Sequence, residues 1–440
     1  MGKQSELEKP KAIPTAGQIF ADGVVLDIIR NSSSPEDLRL LCWRGKILEE
    51  GPEISIDGHR YEPVRVNRSI VTALRFPARI APPESTKELF TDVQRLLRRY
   101  LGQLDSCITA MVFAIFAAWL APVLPMAPIL SIYAPVGSPK NLTLQLLSLL
   151  CPRPLCLAGV RRNDLLRVPM ELRPTLLLAE PDLQPAMRNI LHAAAHRGFY
   201  VPSGDGVREL YGPKIIMTSK SPYTESLEAE LLQIALIPVS GQRPSLDKKT
   251  AEQVAEEFQA RFLGYFLQNF KGAQVPTSDV SDLAVPVQDL VRTFGAAIVG
   301  DTELQARILP LLKVLDEEIR ADRARACDAV VLEALLFFIH EGGWSKVRTE
   351  NVAEKVCAIY KGRGSDQQPS PESVGRAIRR LGIPSGRINR SGNGVELHVS
   401  TCRLIHNLAR SHCVRAMEGG LRKECRYCEE LEPMIAPATT

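Results

Sequence analysis

What this 440-residue chain most lacks is an excess of one charge: 54 Lys+Arg face 50 Asp+Glu, a formal net charge of +4. So small an imbalance rules out an argument for nucleic acid from bulk electrostatics, and any basic surface has to be local. A secretory leader is not expected either, because residues 1–11 are polar and charged with no apolar centre. The ten cysteines show none of the regular spacing of a small disulfide framework. They are scattered through apolar stretches, where reduced thiols act as small hydrophobes. An unbroken membrane-length run is missing as well: residues 107–133 carry no charge, but Pro122, Pro125 and Pro128 divide them. They read as a buried helix ending near Leu120, a proline-rich turn and a strand over 129–133.

What is present is a globular composition, 45% hydrophobic and 24% charged, spread over more residues than one core accommodates. Residues 18–83 alternate short β-rich runs (24–29, 38–43, 53–56, 61–66, 69–76) with turn signals at Ser32-Ser33-Ser34-Pro35 and Asp57-Gly58. They form a small β-domain with no catalytic constellation. After Pro82-Pro83, Ser85-Thr86 with Glu88 opens a helix. Through 84–245, strands at 129–133, 155–158, 175–178, 214–218 and 233–237 alternate with helices at 142–150, 162–166 and 184–195, as βαβ units around a parallel sheet require. Residues 246–320 carry helical periodicity and read as a helical lid or bundle.

Tyr133-Ala134-Pro135-Val136-Gly137-Ser138-Pro139-Lys140-Asn141 lies between a strand and a helix, where a phosphate-cradling loop works. About forty residues on, Thr175-Leu176-Leu177-Leu178-Ala179-Glu180 is an apolar strand ending in a carboxylate. Lys214 to Ser219 forms another strand with polar residues, Thr218 and Ser219, at its end. In spacing the first segment resembles a Walker A motif and the second a Walker B strand, and the region from Ser85 to Ile237 resembles the AAA+ and related P-loop ATPases of phage and plasmid replication helicases.

That resemblance implies an α/β, P-loop NTPase-like parallel sheet core. It implies ATP as the cofactor, held by Gly137, Ser138, Lys140, Asn141 and Thr218, with Glu180 as the one remaining catalytic candidate. The departures fall on the chemistry. Pro139 has no N–H to offer a phosphate; Asn141 replaces the hydroxyl that would hold magnesium; Ala179 replaces the metal-binding aspartate; Glu230 stands where an arginine is usual. Magnesium is thereby in doubt, and hydrolysis is expected to be impaired or lost.

Residues 321–412 predict helices at 326–341 and 349–360, the second capped by Thr349. A third spans Ser370-Pro371 to Gly382, and a hairpin runs through Arg387-Ile388-Asn389, a turn at Ser391-Gly392-Asn393-Gly394, and 395–399. The order resembles a winged-helix domain, which implies DNA contacts from Arg376, Arg379, Arg380, Arg387 and Arg390, with Asn389 and Asn393 as weaker candidates. The tail, 413–440, reads as flexible. It contains Cys425-Arg426-Tyr427-Cys428, and His412-Cys413 precedes it. A Cys-x2-Cys with a nearby His or Cys could complete four zinc ligands, but strong zinc signatures have two clear pairs, so the alternative of free thiols stands beside it and no metal ligand is assigned.

The expectation is a cytosolic DNA-binding accessory or replication-associated protein of a bacterial or mobile-element type, without robust ATP hydrolysis. No membrane span is expected, and the expected partners are DNA with a homo-oligomer or replication or mobile-element proteins. Two alternatives stay open: an active helicase or loader completed by a neighbouring subunit, and a scaffold that binds only protein.

Overall fold

The chain divides into two compact units, Met1–Leu315 and Asp316–Thr440. The structure is a computed structural model. It describes residues 12–31, 37–45, 47–82, 85–204, 206–219, 231–239, 244–273, 280–281, 283–342, 344–389, 392–412, 414 and 425–429.

The first unit begins with two small sheets. Gly17–Ile19, Val25–Arg30, Leu38–Arg44 and Ile47–Gly51 form an antiparallel meander; Ile13–Thr15, His59–Pro63 and Ile54–Ile56 form the other sheet. Leu26, Ile28, Leu40 and Cys42 are buried in the meander, which gives its central strands their apolar character. The strand expected at 69–76 is instead a helix, Arg68–Ala73. Asn67 explains it: its side-chain oxygen accepts from the Ser69 amide at 2.9 Å and caps the first turn.

A five-stranded, wholly parallel sheet follows, in spatial order Leu232–Ala235, Ile129–Tyr133, Lys214–Thr218, Thr175–Ala179, Pro154–Ala158. From Ile129–Tyr133 the chain crosses to the far edge and works back. Lys214–Thr218 is thus inserted between the strand before the lysine loop and the strand that ends at Glu180. All five Lys214–Thr218 side chains are buried, as in a sheet covered on both faces. One covering helix is Asp105–Leu120, buried at every position from 110 to 120. Phe116 meets Phe262 and Tyr265 edge-on at 5.1 and 5.0 Å, and Trp119 stacks on Phe262 at 5.6 Å. This core, rather than lipid, explains the uncharged 107–133 stretch; no described helix is long and apolar enough to cross a membrane.

The second unit runs helix Cys327–Gly342, strand Lys346–Arg348, helices Thr349–Gly362 and Pro371–Arg380, strands Gly386–Asn389 and Gly392–Glu396, and helix Val399–Ser411. The three strands pair antiparallel with Gly392–Glu396 central. Leu332, Leu335, Val352, Val374, Ile378, Val395 and Ile405 share one core. Two local expectations need correcting. Thr349 is the first helical residue, not the cap, and its hydroxyl donates to the Asn393 carbonyl at 3.1 Å. Gly392, Asn393 and Gly394, expected in a turn, belong to the central strand. A Cβ on Gly394 would sit 2.2 Å from the Val347 carbonyl, so glycine here serves close strand approach.

Candidate functional site

Three side-by-side strands end at one rim of the parallel sheet, and each contributes to the candidate site. From Ile129–Tyr133 the chain enters the 134–139 loop and then the helix Lys140–Leu150. Gly137 takes φ +87°, a left-handed conformation that glycine adopts without a Cβ penalty. The loop folds back on itself: the Ser138 amide and hydroxyl both donate to the Pro135 carbonyl, at 3.0 and 2.7 Å, and the Lys140 amide donates to the Ser138 carbonyl at 2.9 Å. With Pro139 lacking an N–H, much of the donor set that would cradle a phosphate is spent or absent. The amides of Asn141 and Leu142 remain at the helix start, where α-helical geometry gives them no intrahelical acceptor. A shallow depression of about 410 Å³ lined by Gly137, Ser138, Lys140, Asn141 and Ser219 lies over this turn.

The Lys140 ammonium is bound to the Glu180 carboxylate. Glu180 follows the Thr175–Ala179 strand and accepts a second hydrogen bond, 2.9 Å, from the Ser219 amide at the end of the intervening strand. Burial pushes the Glu180 carboxyl up, but the Lys140 and Ser219 bonds outweigh it and hold the group below the ordinary glutamate range. Its backbone has φ +47°, a left-handed geometry that costs a non-glycine residue roughly 1–2 kcal/mol. The Glu180 amide bonds to Met217 O at 2.8 Å, so backbone and side chain alike are tied to the neighbouring strand.

The sequence-derived residues separate on this geometry. Lys140, Glu180, Ser138 and Gly137 come together, with Asn141 exposed on the first turn of the helix. Thr218 is buried within its strand, and the neighbouring Ser219 reaches Glu180 instead. The Ala179 carbonyl accepts from the Gly159 amide at 2.9 Å, and its methyl offers a cation nothing. The Glu180 carboxylate is already engaged by Lys140 and the Ser219 amide. Glu230 lies outside the described residues.

In the C-terminal unit, Ser370 caps the helix Pro371–Arg380 by accepting from the Ser373 amide at 3.3 Å. Gly382, at φ +70°, ends it. Val374, Ala377 and Ile378 are buried, whereas Arg376, Arg379, Arg380 and Arg387 are exposed. The exposed arginines are not equivalent. Arg380 forms a two-pronged ion pair with Asp328, its Nε donating at 3.0 Å, and that carboxylate holds the guanidinium above its usual range. Arg376 and Arg379 pair with no acid among the described residues; the Arg379 Nε donates to the Gly375 carbonyl of its own helix at 3.3 Å. Arg390 lies outside the described residues, and so does the side chain of Asn389.

Sequence reasoning missed a larger cavity of the first unit, about 760 Å³, lined among others by Arg153, Arg173, Arg197, Arg208, Asp27 and Glu209. Its arginines mostly serve the fold. Arg153 is paired with Asp27 and donates to the Leu172 carbonyl at 2.7 Å; Arg197 lies 4.0 Å from the Tyr211 ring centroid and bonds the Ala121 and Pro122 carbonyls. These residues are spread from 27 to 209 without a motif, so no local signal marks them.

No protein-family model matches the chain, and comparison with curated protein sequences finds no significant match. Among solved structures, the chain is similar to the apo C-terminal region of NrS-1, at 9% identity and TM-score 0.36, over 85% of this chain and 96% of that one. It is also similar to a chain of Drosophila ORC bound to DNA, at 15% identity and TM-score 0.20, over 76% and 96%. Scores this far below 0.5 do not establish a common fold.

Proposed function

We propose that the chain is a DNA-binding protein, of replication-associated type, built on a P-loop-like core that has lost ATP hydrolysis. The observation that carries this reading is the Lys140–Glu180 ion pair at the carboxyl ends of the parallel strands. A lysine at a helix start, a carboxylate after the strand two places away, and a polar strand end between them form the arrangement in which a phosphoryl group and its metal are handled. Here the two charges answer each other. The amide donors are depleted and no aspartate stands at Ala179, so the cluster suits a structural clasp or weak anion binding better than turnover.

The DNA part of the reading rests on the second unit. Three helices followed by an antiparallel hairpin resemble a winged helix, whose third helix would present Arg376 and Arg379 to phosphate. Arg387, on the first hairpin strand, is a further contact. Arg380 is withdrawn from that set by Asp328 and acts as a brace.

Titration of the purified chain with ATP, with and without magnesium, tests the core. The expected result is weak or no binding with no magnesium-dependent phosphate release, including when DNA is present. Glu180→Gln separates the readings: it frees Lys140, so anion binding should strengthen, whereas in an active ATPase it should abolish an existing turnover. Magnesium-dependent hydrolysis lost in both Lys140→Ala and Glu180→Gln would overturn the inactive-core reading.

A further inference from the structure

The C-terminal unit gathers two histidines and two cysteines from three separate segments. His340 comes from the last turn of the helix Cys327–Gly342, His406 from the middle of Val399–Ser411, Cys425 immediately precedes the single helical turn Arg426–Glu429, and Cys428 lies within it. One ligand-type atom from each lies within 4.8 Å of all the others. The two imidazole Nε2 atoms are 3.1 Å apart, Cys425 Sγ is 3.5 Å from His406 Nε2, and Cys428 Sγ is 3.5 Å from His340 Nε2. Tetrahedral zinc, with bonds of about 2.0–2.1 Å to nitrogen and about 2.3 Å to sulfur, places N···N near about 3.3 Å and S···N near about 3.5 Å. The observed separations are those of a ligand shell.

The surroundings agree with that assignment. His406 Nδ1 lies 2.7 Å from the Cys402 carbonyl, which can only accept, so Nδ1 carries a hydrogen and Nε2, facing His340 and Cys425, is the nitrogen that would bind a metal. A backbone carbonyl orienting a ligand histidine in this way fixes the tautomer that binds metal. His406 and Cys428 are buried while His340 and Cys425 are partly so, and the Tyr427 ring lies 5.4 Å from the His406 ring. Four ligand atoms of the soft and borderline kind that zinc takes are gathered in one partly enclosed place. Cys402 is close by but its Sγ is directed to the Leu397 carbonyl at 3.5 Å, so it is not a fifth ligand.

We propose that His340, His406, Cys425 and Cys428 bind one zinc ion in a Cys2His2 site. All four positions of the tetrahedron are filled by protein, so the site is structural, and its task is to fasten the 425–429 turn to the helices bearing His340 and His406. The proposal is independent of the reading of the Lys140 site, which lies in the other unit.

The test uses the full chain. Protein purified without added chelator should contain one zinc per chain by elemental mass spectrometry. After chelator stripping, Co2+ should restore thiolate charge-transfer absorption and intense tetrahedral visible bands, with an endpoint at one equivalent. Cys425→Ser with Cys428→Ser should abolish the charge-transfer band, and His406→Ala should lower affinity for Co2+ by at least tenfold. His412→Ala, which removes the histidine nearest in sequence to the cysteine pair, should leave stoichiometry and spectrum unchanged. Because the stripped wild-type chain is itself titrated, misfolding of a variant does not decide the outcome. Zinc-free protein that also fails to develop Co2+ bands would overturn the site. So would bands that survive the double cysteine substitution, or that require His412 and not His340.

Discussion

In the first unit the lysine offered by the helix start is bound to Glu180, and Glu180 in turn to the next strand; in the second, Arg376 and Arg379 stand exposed on a helix whose other face is buried. Both regions carry cations where a phosphate would be sought. In one, folding has already supplied the counter-charge, so an incoming anion must displace a carboxylate. In the other the positive charge is left for solvent or a partner, and binding displaces only counterions. Arg380 and its neighbours show the same division within one helix, since the Asp328 pair removes Arg380 from the displayed set.

The largest effect that would sharpen the contrast is on DNA affinity. Arg376→Ala with Arg379→Ala should weaken duplex binding roughly tenfold per lost phosphate contact, about 2.7 kcal/mol together, and lower the log–log salt slope by about 2. Fluorescence anisotropy at several salt concentrations reads both. Unchanged affinity would favour a protein-docking role.

Internal compensation has its extreme in Lys214, which is 1% exposed and donates to the carbonyls of Ala194, Leu210 and Gly212 at 3.2, 2.9 and 2.7 Å. Burial pushes its ammonium down to about 7. Between that value and the ordinary lysine pKa, the unfolded chain holds a proton that the folded one has shed, so stability rises with pH. From about pH 7 to 9 the gain should approach about 2 kcal/mol in denaturant unfolding of the first unit, and Lys214→Met should flatten it.

Tyr265 presents a neutral counterpart: its hydroxyl donates to Ala297 O at 2.7 Å and accepts from Val299 N at 2.9 Å. Tyr265→Phe should cost about 1–3 kcal/mol, because two buried backbone groups lose their partner. The smallest changes are expected at the half-exposed ion pairs. Arg380→Ala and Lys140→Ala should each lower stability by about 1 kcal/mol or less, and Arg380→Ala should leave DNA affinity nearly intact. A loss at Arg380 as large as at Arg379 would erase the distinction drawn from Asp328.

Much of the scaffold was legible because its signals are local. The strands Ile129–Tyr133 and Lys214–Thr218 announce themselves as short apolar runs between turns, and the helices at Ser85 and Ser370 by their caps. Where a local signal was ambiguous it misled. The β-branched residues Ile70, Val71 and Thr72 suggested a strand, but the Asn67 cap makes that segment helical. The hairpin Tyr200–Ser203 with Gly206–Glu209 went unseen because its strands are short and mostly exposed, without a clear alternation. At the candidate site, the lysine loop and the strand ending in Glu180 were legible, whereas the role of Ser219 and the loss of Arg380 to Asp328 were not.

Sequence by itself determined where most elements start and stop and which residue types stand at the lysine loop, since caps, prolines and apolar periods act within a few residues. Only the tertiary structure decided that Lys140 meets a carboxylate 40 residues away and that Cys428 reaches a histidine 88 residues back. Such contacts depend on strand order and helix packing, set by the burial of the whole apolar surface at once; no short window of residues encodes them.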